Sequence, residues 1–254
     1  MIGTRRTTGL TVVKLGGSVL ETSAGNAVLA AVARARARGD RLLLVHGGGA
    51  ELSRWLDRLG LKSRFLAGQR VTTRDMLPAA LMVLGGLLNR GVVEGLARRG
   101  CPAIGLTGAD GAAVAARRSR GGRLGAVGEV TAVNTRLFRD LIGSGHVPVV
   151  ASLAWSRRHG WLNVNADLMA AALAIGLRAR RLLLLTDTPG VRGTDGGWIE
   201  SLTLQGMRAL IRSGGATDGM IPKLQACRQA LRAGVDEVRI ASGLRPERGT
   251  RVAP

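Results

Sequence analysis

The chain has 254 residues, of which 46% are hydrophobic and 38 are glycine, so its length suits one large α/β domain or two small lobes. Aromatic residues make up 2% and tyrosine does not occur, which argues against base stacking on aromatic side chains as a binding mode. The formal charge of +20 comes from arginines spread along the chain, which fits a diffuse field that attracts small anions. A nucleic-acid partner is not expected, because no nucleic-acid-binding motif accompanies these arginines.

No uninterrupted apolar run approaches 18 residues, and the chain does not open with a charged and then apolar signal sequence. We therefore expect a soluble, cytoplasmic protein with no membrane partner. Cys101 and Cys227 are isolated from each other, with no CxxC spacing, so both are predicted to be buried and reduced.

The predicted elements alternate between short β-type runs and helical stretches. In the first part of the chain, strands are expected at Leu10–Leu15, Arg41–His46, Ala103–Leu106 and Val147–Ser152, with an extended hairpin at Ser63–Val71. Helices are predicted at Asn26–Arg38, from the Gly47–Gly49 turn to Leu59, at Arg74–Arg98 and at Asn134–Ile142. The glycine-rich segment from Gly108 to Gly128 indicates loops and β-hairpins.

The second part of the chain begins with the polar segment Asn163–Asp167, which leads into an alanine-rich helix that ends near Ile175. The elements after it are a strand at Arg181–Leu185, helices at Leu204–Arg212 and Met220–Ala233, and a final strand at Glu237–Ala241. This alternation predicts an α/β fold with a mainly parallel sheet covered by helices. We expect two lobes of one compact unit, with a boundary near residues 160–180.

Only three of the 37 basic residues are lysines, and all the others are arginine. A lysine kept in such a composition is a candidate for a task that a guanidinium cannot perform. Lys14 lies between an apolar run and a glycine turn, and Lys223 lies at the beginning of a predicted helix. A compact ammonium beside flexible glycines can hold a phosphate as a point charge. The alternative is a pair of surface lysines without a function.

Two glycine turns, Gly16–Gly17 and Gly47–Gly49, each follow a predicted buried strand, although the chain contains neither GxxxxGK[ST] nor GxGxxG. In open parallel sheets, ligands gather beyond the carboxyl ends of the strands. Glycines there let backbone amides approach an anion, and the helix after Gly49 adds the positive end of its dipole. The two turns and Lys14 together predict an anion site at this edge of the sheet.

Six motifs occur in an order that is typical of one known family. They are Lys14-Leu-Gly-Gly, His46-Gly-Gly-Gly, Gly68-Gln-Arg70-Val-Thr72, Asn163-Val-Asn-Ala-Asp167, Thr186-Asp-Thr-Pro-Gly190 and Asp218-Gly-Met-Ile-Pro-Lys223. From about residue 10 to residue 242, the chain resembles the N-acetylglutamate kinase branch of the amino acid kinase family. Thr73 stands where the family usually has aspartate, and the stretch from Gly111 to Gly128 matches the family poorly.

The resemblance implies an open αβα sandwich, in which an N-lobe (about 1–165) binds the acyl amino acid and a C-lobe (about 166–254) binds ATP. It implies that Lys14 and Lys223 flank the transferring phosphoryl group and that Asp167 holds both lysines in place. Phosphate would be bound by Gly16, Gly17 and Gly47, and the acyl amino acid by Gly48, Gly49, Arg70 and Asn163. The nucleotide pocket would be lined by Asp187, Thr188, Gly190, Val191, Arg192, Gly215, Ala216 and Thr217.

The implied reaction is the ATP-dependent phosphorylation of the side-chain carboxylate of N-acetyl-L-glutamate, with Mg²⁺ bound through phosphates and water. Such a carboxylate, with a reference pKa of about 4.3, is already ionised at neutral pH. No general base is therefore required, and His46 is expected to be structural. The resemblance also implies a homodimer through the helix at 74–98, without the N-terminal helix of arginine-inhibited hexamers.

Two alternative functions remain open from the sequence. One is the phosphorylation of aminoadipate or glutamate attached to an acidic carrier protein, which a charge of +20 would attract. The other is a catalytically idle family member that acts as a regulator or binds nucleic acid. The Asn163–Asp167 motif favours acetylglutamate over the carrier-bound substrate, and the retention of Lys14, Lys223 and Asp167 argues against an idle protein.

Overall fold

The computed structural model describes residues 9–17, 23–216, 219–244 and 249–254. Within these ranges the helices are α1 Ser23–Ala37, α2 Gly49–Arg58, α3 Arg74–Ala97, α4 Thr135–Gly143, α5 Ala166–Gly176, α6 Leu204–Arg212 and α7 Met220–Arg232. The strands are β1 Thr11–Leu15, β2 Leu42–His46, β3 Arg64–Leu66, β4 Gln69–Val71, β5 Ala103–Leu106, β6 Val114–Arg118, β7 Gly128–Val133, β8 Val147–Ala151, β9 Leu153–Ser156, β10 Gly160–Asn163, β11 Arg181–Leu185, β12 Val191–Arg192, β13 Trp198–Ile199, β14 Ser201–Thr203, β15 Glu237–Ala241 and β16 Thr250–Ala253.

A central sheet contains eight of the described strands, in the order β14-β16-β15-β11-β1-β2-β8-β5. Its neighbouring strands pair in parallel, except for the antiparallel pair β15–β16. Successive residues of β1, Val12 and Val13, belong to different hydrophobic clusters, because helices cover both faces of the sheet. The predicted α/β class with a mainly parallel sheet is confirmed.

The strand order places β1 between β2 on one side and β11 on the other. In parallel register, Leu15 at the end of β1 lies opposite His46 at the end of β2. The turns Gly16–Gly17 and Gly47–Gly49 therefore leave the sheet side by side, at the edge where the order of strands changes direction. Open α/β sheets bind ligands in the crevice at this topological switch point.

A smaller sheet has the order β10-β9-β6-β7 among the described residues, and it includes the antiparallel pair β6–β7. The prediction of β-hairpin structure between Gly108 and Gly128 is confirmed for β6, but its partner strand β7 begins at Gly128 and extends to Val133, beyond the predicted segment. Strands β9 and β10 were not predicted, because four residues each are too few for a clear alternation of apolar and polar side chains.

The prediction of Glu237–Ala241 as the last strand is wrong. The four residues Thr250–Ala253 form β16, which lies between β14 and β15 in the central sheet. The segment contains Arg251 and is short, so the sequence pattern gives little sign of it. Its pairing with β15 depends on the long-range register Val238↔Val252 and not on local propensity.

Helix α3 corresponds to the predicted helix at 74–98, but its geometry changes along its length. It begins with a 3₁₀ turn at Arg74–Met76, passes through a π-helical stretch at Leu81–Leu88 and continues as an α-helix from Asn89 to Ala97. By length and hydropathy alone it qualifies as a candidate membrane span, as core helices of soluble proteins also do. Seven of its apolar residues are buried in the core: Met76, Ala79, Ala80, Val83, Leu84, Val92 and Leu96. Cys101 and Cys227 are also buried, as predicted.

Gly108 provides a stability test of the junction between the two sheets. A Cβ at Gly108 would lie 2.5 Å from Ala154 Cα and 2.6 Å from the Val114 carbonyl oxygen, and neither backbone atom can swing aside. We expect Gly108→Ala to lower the free energy of unfolding by about 2 kcal/mol, in the range of overpacked cores. Gly143→Ala is the matched control, because it lies in α4 with open space around it and should be neutral or stabilising. Equal urea midpoints for the two variants would contradict this account.

Candidate active site

Two buried lysines share one carboxylate oxygen at the carboxyl edge of the central sheet. Lys14 Nζ, at the end of β1, lies 3.1 Å from Asp167 Oδ1, and Lys223 Nζ, in the first turn of α7, lies 3.0 Å from the same oxygen. The exposed fractions of Lys14, Asp167 and Lys223 are 8%, 5% and 6%. Residues that are 153 and 56 positions from their partner in sequence thus form one buried cluster, as the resemblance implied.

The position of Asp167 is set by the beginning of α5. Asn165 is the N-cap of this helix, and its Oδ1 accepts hydrogen bonds from the backbone N–H groups of Asp167 (2.9 Å) and Leu168 (3.2 Å). A capping role for Asn165 leaves the Asp167 carboxylate free to face the lysines from the first turn. That turn is also where the helix dipole favours a negative charge.

Among the described residues, the cluster sets two ammonium groups against one carboxylate, which leaves one excess positive charge. Burial lowers the pKa of Lys14 to about 8, against the opposing effect of the Asp167 carboxylate. Burial also acts against the charge on Lys223, but Asp167 outweighs it and the pKa of Lys223 is raised. Burial opposes the charge on Asp167, yet the two ammonium groups hold its pKa below the usual value. Two ammonium groups facing one carboxylate form a site that attracts an anion.

The two glycine turns touch each other beside this cluster. A Cβ on Gly17 would lie 3.4 Å from both Gly48 Cα and Gly49 N, which is van der Waals contact between the two turns. Gly48 has a φ of 150°, and a Cβ there would overlap Leu88 of α3. Backbone conformation and packing therefore both favour glycine at position 48.

One cavity of about 180 Å³ opens at this edge of the sheet. Most of the predicted phosphate, substrate and catalytic residues line it: Lys14, Gly17, Gly47, Gly48, Gly49, Arg70, Asn163 and Asp167. Gly16 directly precedes this lining, and Lys223 joins it through Asp167. The structure thus brings together residues from β1, β2, β4, β10, α5 and α7, which are distant in sequence.

Arg70 forms one wall of the cavity and is held by several contacts. Its Nη2 donates to Gly49 O and to Ser53 Oγ, each at 2.7 Å, and its Nη1 donates to Ser63 Oγ. Its guanidinium also lies 4.7 Å from the Phe65 ring centroid. Arg70 thus faces the cavity as a preorganised cation, since each of these partners is neutral. Sequence reasoning missed Ser53, Ser63 and Phe65, because no motif marks residues that hold the ligand-binding side chain.

Asn163 lies on the same side of the cavity as Arg70. Its Nδ2 donates to Thr72 Oγ1 at 3.0 Å, and Thr72 is fully buried. This contact joins the Arg-Val-Thr motif of β4 to the Asn-Val-Asn-Ala-Asp motif at the end of β10. A carboxylate and an amide are ligand groups that this pair of side chains can recognise together.

His46 does not act as a base in this arrangement. Its ring is fully buried, and burial lowers its pKa to about 4, so the imidazole is neutral at physiological pH. Nδ1 lies 2.9 Å from Gly47 O and Nε2 lies 3.0 Å from Asn89 Nδ2. The structural role predicted for His46 is confirmed.

The residues predicted for the nucleotide pocket lie outside the lining of this cavity, as far as the structure describes them, and Thr217 is outside the described residues. Asp187 and Thr188 follow β11 at the carboxyl edge of the sheet. Gly190 and Val191 pack on β16, where Thr250 Oγ1 accepts a hydrogen bond from Val191 N at 2.8 Å. The other three predicted residues lie in two segments that contact each other: Arg192 in β12, and Gly215 with Ala216 after α6. A Cβ on Gly215 would lie 3.3 Å from Thr194, in the turn after Arg192.

Replacing Asp167 by asparagine tests the buried cluster. Asp167→Asn leaves two buried ammonium groups without a counter-charge, so we expect the free energy of unfolding to fall by about 3 kcal/mol or more. Pyrophosphate should raise the melting temperature of this variant more than that of the wild type, because the anion replaces the lost carboxylate. Asp236→Asn, at an exposed position, is the control for the change in net charge. An Asp167→Asn melting curve that matches the control would refute the cluster.

Comparison with known proteins agrees with this geometry. The sequence matches the amino acid kinase family over residues 9–242. It is 43% identical to the acetylglutamate kinase of Koribacter versatilis over 238 residues, which cover 93% of this chain and 91% of that protein. It is 45% identical to the acetylglutamate kinase of Acidobacterium capsulatum over 234 residues, which cover 90% and 89%. The structure of smu.665 from Streptococcus mutans superposes with a TM-score of 0.90 at 30% identity, covering 96% of this chain and 98% of that one. The chain is therefore a member of the amino acid kinase family.

Proposed function

We propose that this protein is an acetylglutamate kinase, which transfers the γ-phosphoryl group of ATP to the side-chain carboxylate of N-acetyl-L-glutamate. The observation that carries this proposal is the pair Lys14 and Lys223 on a single oxygen of Asp167, beside a small cavity that Arg70 and Asn163 also line. The two relatives reported above carry the same name over about nine tenths of their length.

The cavity suits a small acyl amino acid with two negative charges. The Arg70 guanidinium provides the partner for the α-carboxylate, and the Asn163 side chain provides hydrogen bonds for the acetamido group. The side-chain carboxylate of the substrate then points toward Lys14 and the glycine turns. In this arrangement the two negative charges of the substrate are balanced by the charge of Arg70 and by the excess positive charge of the lysine cluster.

The chemistry needs charge stabilisation more than proton transfer. An ionised carboxylate oxygen forms a bond to the γ-phosphorus while the bond to the β–γ bridging oxygen breaks, and ADP leaves with that electron pair. The barrier comes from electrostatic repulsion between the carboxylate anion and the polyanionic ATP. Correct positioning of the two substrates lowers it, and so do positive groups placed next to the equatorial oxygens of the phosphoryl group. Lys14 and Lys223 supply this charge from a dry site, and the backbone amides of the glycine turns add donors. The neutral, buried His46 takes no part in proton transfer.

MgATP is the second substrate in this proposal. Its nucleoside lies against the C-lobe segments 187–192 and 215–216, and its phosphates extend toward Lys223 at the beginning of α7. Within the described ranges, no three His, Cys, Asp or Glu side chains converge in a metal-binding arrangement, and Asp167 is engaged by both lysines. In this proposal the magnesium ion is bound to the phosphates of ATP and keeps water as its other ligands.

Further parts of the proposal concern organisation. The chain folds as one kinase domain, with an N-lobe of about 1–165 for the acyl amino acid and a C-lobe of about 166–254 for ATP. It forms a homodimer through α3, on which the large apolar side chains of Met82 and Leu87 are 57% and 52% exposed. We place the enzyme in the cytoplasm.

A second candidate function is the phosphorylation of a carrier-bound amino acid. The observation in its favour is the charge of +20, which an acidic carrier protein would complement. The cavity itself does not require a carrier, since Arg70 already supplies a partner for a free α-carboxylate. The two substrates are distinguished by the assay below.

The pKa of Lys14 predicts how activity depends on pH. Above a pKa of about 8 the Lys14 ammonium loses its proton, so kcat/KM for MgATP should fall by about tenfold per pH unit beyond that value. Lys14→Arg keeps its charge at every accessible pH, so its profile should stay flat through this range, at much lower kcat because a planar guanidinium cannot replace a compact ammonium. A wild-type profile that is flat to pH 10 would contradict the assignment.

The direct test of function is the trapping of acyl phosphate with hydroxylamine in the presence of MgATP. We expect turnover with N-acetyl-L-glutamate and little with free glutamate, N-acetylaspartate or aminoadipate. Arg70→Ala should raise KM for the acyl amino acid by about 100-fold, with a smaller change in KM for ATP, because a buried charged hydrogen bond is lost. Turnover only with a carrier-bound amino acid would establish the second candidate. Absence of acyl phosphate with every acceptor would refute kinase activity.

A further inference from the structure

A chain of hydrogen bonds, buried at Asn89 and partly buried at its two ends, connects helix α3 with the glycine turn of the active site. Arg90 Nη2 donates to Asn89 Oδ1 at 2.6 Å, and Asn89 Nδ2 donates to Val149 O at 3.0 Å. The same Nδ2 lies 3.0 Å from His46 Nε2, and His46 Nδ1 lies 2.9 Å from Gly47 O. Asn89 and His46 are both fully buried, among largely apolar side chains.

The direction of each hydrogen bond follows from groups that can act in only one way. Arg90 can only donate and the Val149 carbonyl can only accept, so the Asn89 amide has one orientation. Its N–H must then point at His46 Nε2, which accepts. The ring proton of His46 is therefore on Nδ1, and it is donated to Gly47 O.

The contact with Gly47 O determines the direction of the next amide. In a planar trans peptide, the Gly48 N–H points away from the Gly47 carbonyl. Gly47, Gly48 and Gly49 all line the cavity, and Gly48 adopts a φ of 150°. A Cβ on Gly105 would overlap Asn89 Oδ1 and Arg90 Nη2, so β5 carries a glycine where this chain of contacts passes.

We propose that Asn89 and His46 are positioning residues, which hold the Gly47–Gly48 peptide so that the Gly48 amide donates to the transferring phosphoryl group. This inference rests on the proposed kinase function, and it explains what fixes the orientation of the Gly48 amide. Neither side chain touches a substrate. Their effect on catalysis passes entirely through the Gly47 carbonyl.

Two substitutions at position 46 separate the two ends of the imidazole. His46→Asn places an amide N–H near the position of Nδ1 and keeps a donor for Gly47 O. His46→Gln reaches the position of Nε2 and keeps the contact with Asn89, but leaves Gly47 O without its donor. We expect kcat to fall about 10–100-fold in His46→Gln, as for the loss of an oxyanion donor, and less than about fivefold in His46→Asn. KM for the acyl amino acid should change little in either variant.

A binding measurement separates positioning from loss of stability. The affinity for ADP with aluminium fluoride and N-acetyl-L-glutamate, which imitates the transition state, should fall in His46→Gln by the same factor as kcat, while the affinity for ADP alone is kept. Leu96→Ala is the control, because it creates a cavity in the same helix without touching the hydrogen bonds. Equal kcat in His46→Gln and His46→Asn, or an equal loss in Leu96→Ala, would overturn the proposal.

A test on the wild-type protein does not depend on any variant folding. With ¹⁵N-labelled histidine, the chain has three imidazoles to assign, and His46 should carry its proton on Nδ1 at neutral pH. A proton on Nε2 would break the chain of donors and refute the inference. A wild type without acetylglutamate turnover would instead refute the proposed function, and the tautomer would still decide whether His46 fixes the Gly47 carbonyl.

Discussion

Two buried ammonium groups share one carboxylate oxygen, and the rest of the active site depends on that contact. Lys14 and Lys223 come from β1 and α7, and Asp167 comes from α5, so the cluster joins both ends of the chain across the carboxyl edge of the sheet. Burying three charges is costly, and a single carboxylate does not compensate two cations. The excess positive charge is what an anionic transition state would complete. A site with this excess charge is expected to cost stability, as sites that serve function commonly do.

The absence of side chains is as important at this site as their presence. Gly17 and Gly48 let the two turns touch, and Gly105 makes room for Asn89 and Arg90. Backbone amides placed in this way need no rearrangement when charge develops on a ligand, because the sheet and helix α3 already hold them. The two lysines and the glycine turns thus provide different kinds of positive potential, one from full charges and one from oriented dipoles.

The net charge of the protein has a different physical meaning from the charge of the site. The arginines that produce +20 are spread over the chain, and exposed ones are screened within about 8–10 Å at physiological salt. Lys14 and Lys223 are buried and are screened much less. Long-range attraction of anions belongs to the surface, whereas the discrimination between ligands belongs to the cavity and to its few fixed groups.

The sequence by itself determined the fold class, most helices and strands, and the residue types of the site. Buried parallel strands are recognised as continuous apolar runs, and turns are recognised by their consecutive glycines. The lysines stand out because they are only three of 37 basic residues. Short strands such as β9, β10 and β16 were not predicted, because four residues show too little periodicity and their pairing depends on residues distant in sequence.

Only the tertiary structure decided which groups meet. Asn165, not Asp167, caps α5, so that the carboxylate is free for both lysines. Ser53 and Ser63 hold Arg70, and Asn89 holds His46, although no local pattern marks these three holding residues. Hydrogen bonds between distant segments depend on how strands and helices are placed in space, and local sequence carries that information only through the whole fold.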